Sequence, residues 1–164
     1  MNAQVPGGQA GYPSDLIGKV FGLIMRWHNQ PDNEWTISLL NLQPSDRVLE
    51  IGFGPGQAIE YAARIATSGF VTGVDHSETM VQEASKRNAK RIQSGQVELR
   101  QRDVASLPYT NESFHAVFAI NSIYFWLQPL EALKEIHRVL KPGGRIAITV
   151  RRKQPSTRRI QARN

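Results

Sequence analysis

Three glycines spaced two apart, Gly52, Gly54 and Gly56, follow directly on the apolar run of Val48, Leu49 and Ile51. No other feature limits the fold of this chain so sharply. Glycine takes positive φ freely and lets another group approach the backbone where a Cβ would forbid it. A bend of this kind carries a strand into a helix, here "QAIEYAARIAT", whose first free amides face whatever lies in the bend. The dinucleotide fingerprint G-x-G-x-x-G does not fit, because the third glycine comes one residue early and Gln57 stands at the sixth position.

Around the bend, strand and helix patterns alternate. Leu16, Ile17, Val20, Ile24 and Trp27 recur at helical spacing, and a second short helix after Pro31 carries Trp35, Leu39 and Leu40. The strand "RVLEIG" leads to a helix that packs through Ala58, Ile59, Ala62, Ala63 and Ile65. The strand "GFVTGVD" precedes the helix "SETMVQEASKRNAKRI", which has a basic outer face. Two strands follow, "QVELRQRD" and "FHAVFAIN". The helix "PLEALKEIHRVLK" carries Leu130, Leu133, Ile136 and Leu140 on one stripe, "PGG" ends it, and "RIAITV" is the last strand. Such alternation predicts an α/β chain of right-handed βαβ units, a doubly wound parallel sheet with helices on both faces. Sheets of this kind bind ligands outside the carboxyl ends of their strands, where strand order reverses.

Glu50-Ile51-Gly52-Phe53-Gly54-Pro55-Gly56 matches the acid-x-G-x-G-x-G motif throughout, and "GVDHSETM", "RDVASLPYTNESF" and "LKPGGRIAIT" follow in the expected order. From about Pro44 to Val150 the sequence resembles the class I S-adenosylmethionine-dependent methyltransferases. The likeness is greatest to the small-molecule branch that includes quinone-biosynthesis C-methyltransferases. The resemblance implies a Rossmann-like sheet of order 3-2-1-4-5 behind N-terminal helices, with S-adenosylmethionine as cofactor and S-adenosylhomocysteine as product. Full-length members add a 7-6 strand pair, which this chain is expected to lack.

Asp75 closes the second strand about 20 residues beyond the bend, where an acid can accept both hydrogen bonds of a ribose diol. The alternative is that Asp75 or Ser77 caps the next helix. By the resemblance, Asp103 takes the adenine amino group and the Val104 amide a ring nitrogen. Alternatively, Asp103 is a turn residue bonding its own backbone. Glu50 either fixes the glycine loop through backbone amides or lies near the amino group of the ligand. An acid inside an apolar strand is costly to bury without a partner. Phe53, His76, Met80 and Asn121 complete the implied cofactor set, with Phe53 and Met80 open to a plain packing role.

The "NSIYFW" stretch, Asn121 to Trp126, ends the fourth strand and faces the methyl group in the resembling fold. Ser122 and Ile123 stand where nucleic-acid amino-methyltransferases carry two prolines. The loop offers no carboxylate, so no metal is expected there. The implied chemistry is in-line displacement on a good leaving group, served mainly by alignment. Tyr124, Phe125 and Trp126, with Trp27, are expected to wall a small-molecule acceptor, the aromatic faces favouring a cation. The alternative is that the three adjacent aromatics are core residues. Trp27, His28 and Trp35 would form a lid. His28, His76 and His115 are available as bases, but spacing selects none, and His137 reads as a surface or structural residue.

The chain has 164 residues, enough for one domain, expected at 14–150 behind a flexible lead-in at 1–13. No cysteine is present, which excludes disulfides and a cysteine nucleophile and suits a cytoplasmic setting. No apolar run approaches the roughly 20 residues of a membrane span. The net charge of +6 belongs to residues 151–164, which hold six bases and no acid. That segment reads as a basic, disordered tail. The remainder is neutral, so nucleic acid is not expected as a partner. An uncovered fifth strand would allow a homodimer across that edge. A chain short of the usual C-terminal pair is alternatively a non-catalytic or partner-dependent cofactor-binding module.

Overall fold

The computed structural model describes residues 30–151. The expected first helix, the lead-in and Trp27 and His28 lie outside them, as does the basic tail beyond Arg151. The first described helix, α1 (Gln30–Leu39), starts as Pro31 suggests, with Asp32 in its first turn, where a carboxylate complements the helix dipole. Its buried positions are Asn33, Thr36 and Ile37, continued by Leu40 just past its end, one stripe at three- and four-residue spacing. Of the three large apolar residues this helix was expected to carry, Leu40 is buried, whereas Trp35 and Leu39 fall on the opposite side and are exposed.

The remaining elements run in order: β1 (Arg47–Ile51), α2 (Gln57–Ile65), β2 (Phe70–Asp75), α3 (Glu78–Arg87), α4 (Ala89–Gln93), β3 (Val97–Gln101), β4 (Phe114–Ile120), a 3-10 turn (Ile123–Phe125), α5 (Pro129–Val139) and β5 (Leu140–Thr149). The five strands form one sheet in the order β3-β2-β1-β4-β5. Every neighbouring pair is parallel. The expected order is therefore the observed one. The chain builds outward from β1 to β3 and restarts beside β1 with β4, so the switch point lies between β1 and β4.

The central strands β1, β2 and β4 are buried on both faces. Val48 joins α1 and α2 through Ile37, Leu40, Ala58, Ile59, Ala62 and Ala63 in one core. Leu49 and Ile51 join Ala132, Ile136 and Val139 of α5 in the other. Successive β1 residues thus serve opposite faces, as the pleat of a buried parallel strand requires.

Three local features differ from the sequence reading. The helix expected from Ser77 breaks at Asn88, whose buried side-chain amide donates to the Ala84 carbonyl (3.0 Å) and across to Gly56 (3.1 Å). The inward stripe of α5 is Ala132, Ile136 and Val139, while Leu130 and Leu133 face solvent. β5 starts at Leu140 and takes in Pro142, Gly143 and Gly144 through a register shift between Phe114↔Leu140 and Ala116↔Arg145. A missing N–H and extra backbone freedom are tolerated at such an irregularity.

Among the described residues β5 is a sheet edge. Two arginines, Arg145 within it and Arg151 just beyond it, tie this edge to α1 and the turn that follows α1. Arg145 donates to the Leu40 carbonyl (2.7 Å) and pairs with the buried Asp46 (2.5 Å). Arg151, placed in the tail by its composition, instead pairs with Asp32 at 2.8 Å.

Candidate functional site

The glycine bend sits between the carboxyl end of β1 and the start of α2. Gly52, Gly54 and Gly56 have φ of +73°, +50° and +76°. They serve different neighbours. A Cβ on Gly52 would lie 2.4 Å from the Ser122 Cβ, and one on Gly56 would lie 2.7 Å from the Ala84 Cβ. Those two close approaches are made by the protein's own loops and helices. A Cβ on Gly54 meets nothing within 4 Å, so this glycine alone turns its bare backbone to open space.

Asp75, at the end of β2, closes the hollow. It is 7% exposed and points at the bend rather than away from it. Its Oδ2 accepts from the Gly54 amide and its Oδ1 from the Ser77 amide, each at 2.9 Å. A carboxylate offers about four lone-pair sites, so roughly two remain for a ligand. Ser77 caps α3, its Oγ accepting from the Met80 amide at 3.4 Å. Met80 is half-buried against the first core, and His76 lies on the exposed side with Nδ1 3.7 Å from the Asp75 carboxylate.

Glu50 enters from β1 and is 3% exposed, and its Oε2 has no hydrogen-bond partner. Burial, reinforced by the charge of Asp75, holds its carboxyl well above the ordinary range, with the Ile59 amide pulling weakly the other way. Glu50 does not fix the loop through the glycine amides. The Gly52 amide goes to Val74 (2.8 Å), that of Gly56 to Phe53 (3.0 Å) and that of Gly54 to Asp75.

Other expected positions separate. Asp103 is exposed, and its Oδ1 accepts from the Ala105 amide at 2.7 Å, the turn geometry that competed with adenine contact. Val104 turns its side chain into the second core. Phe53 turns inward, so close to Gly73 that a Cβ there would sit 2.6 Å from its ring. What Phe53 brings to the bend is its backbone. His115 lies at the amino end of β4, away from the bend, bound by the Arg47 amide and Lys141 at 2.9 Å each.

At the end of β4, Asn121 adopts φ +53°. Its side-chain nitrogen donates to Asp32 (3.0 Å), and its oxygen accepts from the Arg151 amide (2.8 Å). Ser122 folds back, its Oγ donating to the Ile51 carbonyl at 2.7 Å. Tyr124 and Phe125 are 60% and 62% exposed, whereas Trp126 is 9% exposed and belongs to the second core. Of the three adjacent aromatics, Trp126 is thus a core residue, because the 3-10 turn rotates it inward, while Tyr124 and Phe125 stay at the surface. Trp126→Ala is expected to cost about 3–5 kcal/mol of stability and Phe125→Ala less than about 0.5 kcal/mol, by urea denaturation.

Sequence reasoning missed Ser122 and Asn88, the residues that clamp the bend from either side, and Arg87, whose Nε holds the Pro55 carbonyl at 2.9 Å. For Asn88 a signal existed: a residue that competes for backbone bonds stood in mid-helix. For Ser122 there was none.

Among the described residues no cluster of three His, Asp or Glu could hold a metal. Nor is any described helix long and apolar enough to cross a membrane. Residues 49–148 match the family described as a methyltransferase domain. The chain is 34% identical over 131 residues to the uncharacterized methyltransferase YdaC of Bacillus subtilis strain 168, covering 80% of this chain and 70% of that protein. It is 29% identical over 137 residues to the ubiquinone/menaquinone biosynthesis C-methyltransferase UbiE of Geotalea daltonii, covering 82% of this chain and only 56% of that one. The fold superposes on the crystal structure of a SAM-dependent methyltransferase from Aquifex aeolicus with a TM-score of 0.67 at 24% identity, over 82% of this chain and 77% of the other. With an acid-led glycine bend, a parallel 3-2-1-4-5 sheet and these matches, the chain belongs to the methyltransferase domain family, among the class I S-adenosylmethionine-dependent methyltransferases.

Proposed function

We propose that this chain binds S-adenosylmethionine at the ends of β1, β2 and β4 and directs its methyl group to a small organic acceptor. The observation that carries the reading is the open face of Gly54 with Asp75 beside it, carboxylate toward the bend. The residues fit the group. Asp75 has lone pairs left for a diol, and the orphaned Glu50 oxygen suits an ammonium. The backbones of Gly52, Phe53, Gly54 and Gly56 form the floor, while His76, Met80, Asp103, Val104 and Asn121 complete the rim. When bound, the cofactor supplies an activated methyl on a sulfonium.

The chain's own part is placement. Asp75 and the bend fix the nucleoside end, and Ser122 locks the β4 loop to β1. Tyr124 and Phe125 offer an apolar wall to the acceptor and exclude water from one side. No metal is assigned a role, and the cytoplasm is the proposed location. Isothermal titration calorimetry on the folded chain is expected to give about micromolar affinity, near −8 kcal/mol, for cofactor and demethylated product. A well-folded protein that gives no heat with either sinks the reading.

A second reading keeps the cofactor and drops autonomous turnover. β5 is an edge among the described residues, with Ile146 and Val150 exposed, and the chain spans only about half of UbiE. In that reading a second copy, or another chain, pairs along β5 to complete the acceptor side. Labelled-methyl transfer by purified monomer to a panel of phenols and quinols would count against it.

A further inference from the structure

Glu50 is the one buried carboxyl at the site with an unpartnered oxygen among the described residues. It sits between strands that offer it little. Its register partners are Gly73 on β2, without a side chain, and Phe118 on β4. α2 contributes the Ile59 amide. The titratable group whose charge reaches it is Asp75, a second acid. Of the other charges on helices of this face, Asp32 pairs with Arg151, and Glu60 with Arg64 and Arg87, while on α3 Glu78 and Lys86 are exposed and Glu83 half-exposed. Glu34 is exposed, and His76 lies beyond Asp75 on the solvent side.

Two neighbouring acids, one of them 3% exposed and half unsatisfied, cannot both carry charge cheaply in the absence of a cation. Asp75 has two amides to stabilise its charge. Glu50 has one.

Building on the cofactor reading above, we infer that Glu50 carries a proton in the ligand-free protein and releases it when a ligand bearing an ammonium group arrives. The step balances simply. The Glu50 O–H bond breaks, the proton leaves to solvent, and the carboxylate left behind faces the incoming ammonium. The site thereby takes up a cation without burying a net new charge. It also distinguishes ligands that carry an amino-acid end from those that do not, through a proton rather than through shape.

The native state then holds a proton that the unfolded chain gives up near pH 4.3. Stability from Glu50 is full below that pH and is lost as pH rises through the raised native value. Glu50→Gln, which does not titrate, is therefore expected to melt above the wild type by a margin that grows with pH over that window.

The decisive experiment is calorimetry at pH 6 in buffers of different ionisation enthalpy. S-adenosylhomocysteine and adenosine serve as probes. The slope of observed heat against buffer enthalpy is expected to report net proton release for S-adenosylhomocysteine and about none for adenosine, which lacks the ammonium. Glu50→Gln is expected to abolish the slope while adenosine still binds. Binding heat with no buffer dependence overturns the proton link and leaves the cofactor reading standing. A slope that persists in Glu50→Gln assigns the proton to another group and overturns it too. No heat with either probe removes the cofactor reading, and this inference with it. If the variant does not fold, the wild-type slopes for the two probes still decide.

Discussion

Asp75→Ala is expected to reduce cofactor affinity by roughly 10²- to 10⁴-fold, from about micromolar to beyond easy detection. The carboxylate has two tasks. It accepts from the Gly54 and Ser77 amides, tying the bend to the start of α3. Its remaining lone pairs are the ones a ribose diol would use. Hydrogen bonds to a charged group contribute about 1.5–3 kcal/mol each, and two such bonds give the range stated. Truncation also leaves two amides without their acceptor, which loosens the bend and adds to the loss. Asp75→Asn separates the tasks. It keeps one acceptor oxygen for an amide but loses the charge, so the fold should hold while affinity still falls by about tenfold or more. Calorimetry gives the affinities, and urea denaturation shows whether each variant is folded. Binding within about threefold of wild type in a folded Asp75→Ala protein would remove Asp75 from the site.

The order of the sheet could be read from the sequence because each strand and helix carries its own period, and crossovers between parallel strands have one hand. What could not be read were choices between faces. In α1 and α5 the large apolar residues outnumber the places available, so burial goes to Ala132 and Thr36 on the inward stripe while Leu130 and Trp35 are left outside. Size is a poor guide to direction when a helix has apolar residues all round.

The placement of the candidate site was readable to the same depth. Gly54, Asp75 and Glu50 occupy the strand ends that their spacing implied. The residues that hold them come from afar: Ser122 lies 71 positions from the carbonyl it binds and Asn88 lies 32 from Gly56. Distances of that kind are set by the sheet order and leave no local trace. Asp103 shows the opposite difficulty. Both of its readings were local, and its Oδ1 closes a turn on its own backbone.

Gly52→Ala carries the other large effect and tests why the bend is made of glycine. A Cβ there falls 2.4 Å from the Ser122 Cβ and 2.9 Å from its Oγ, at φ +73°. The left-handed backbone costs an alanine about 1–2 kcal/mol, and overpacking against Ser122 adds about 1–3 kcal/mol. A destabilisation of roughly 2–5 kcal/mol is expected by urea denaturation. Gly54→Ala shares the sign of φ but meets nothing, so it should cost about 1–2 kcal/mol of stability while crowding the face left open for a ligand. The two glycines are thus predicted to fail differently, one in folding and one in binding. Ser122→Gly provides the control. Alone it forfeits the bond to the Ile51 carbonyl, about 1 kcal/mol. Combined with Gly52→Ala it removes the clash, so the double variant should be more stable than Gly52→Ala alone, a coupling that additive sites cannot produce. If the two losses simply add, the bend is not held by that contact, and the glycine is there for its backbone angle alone.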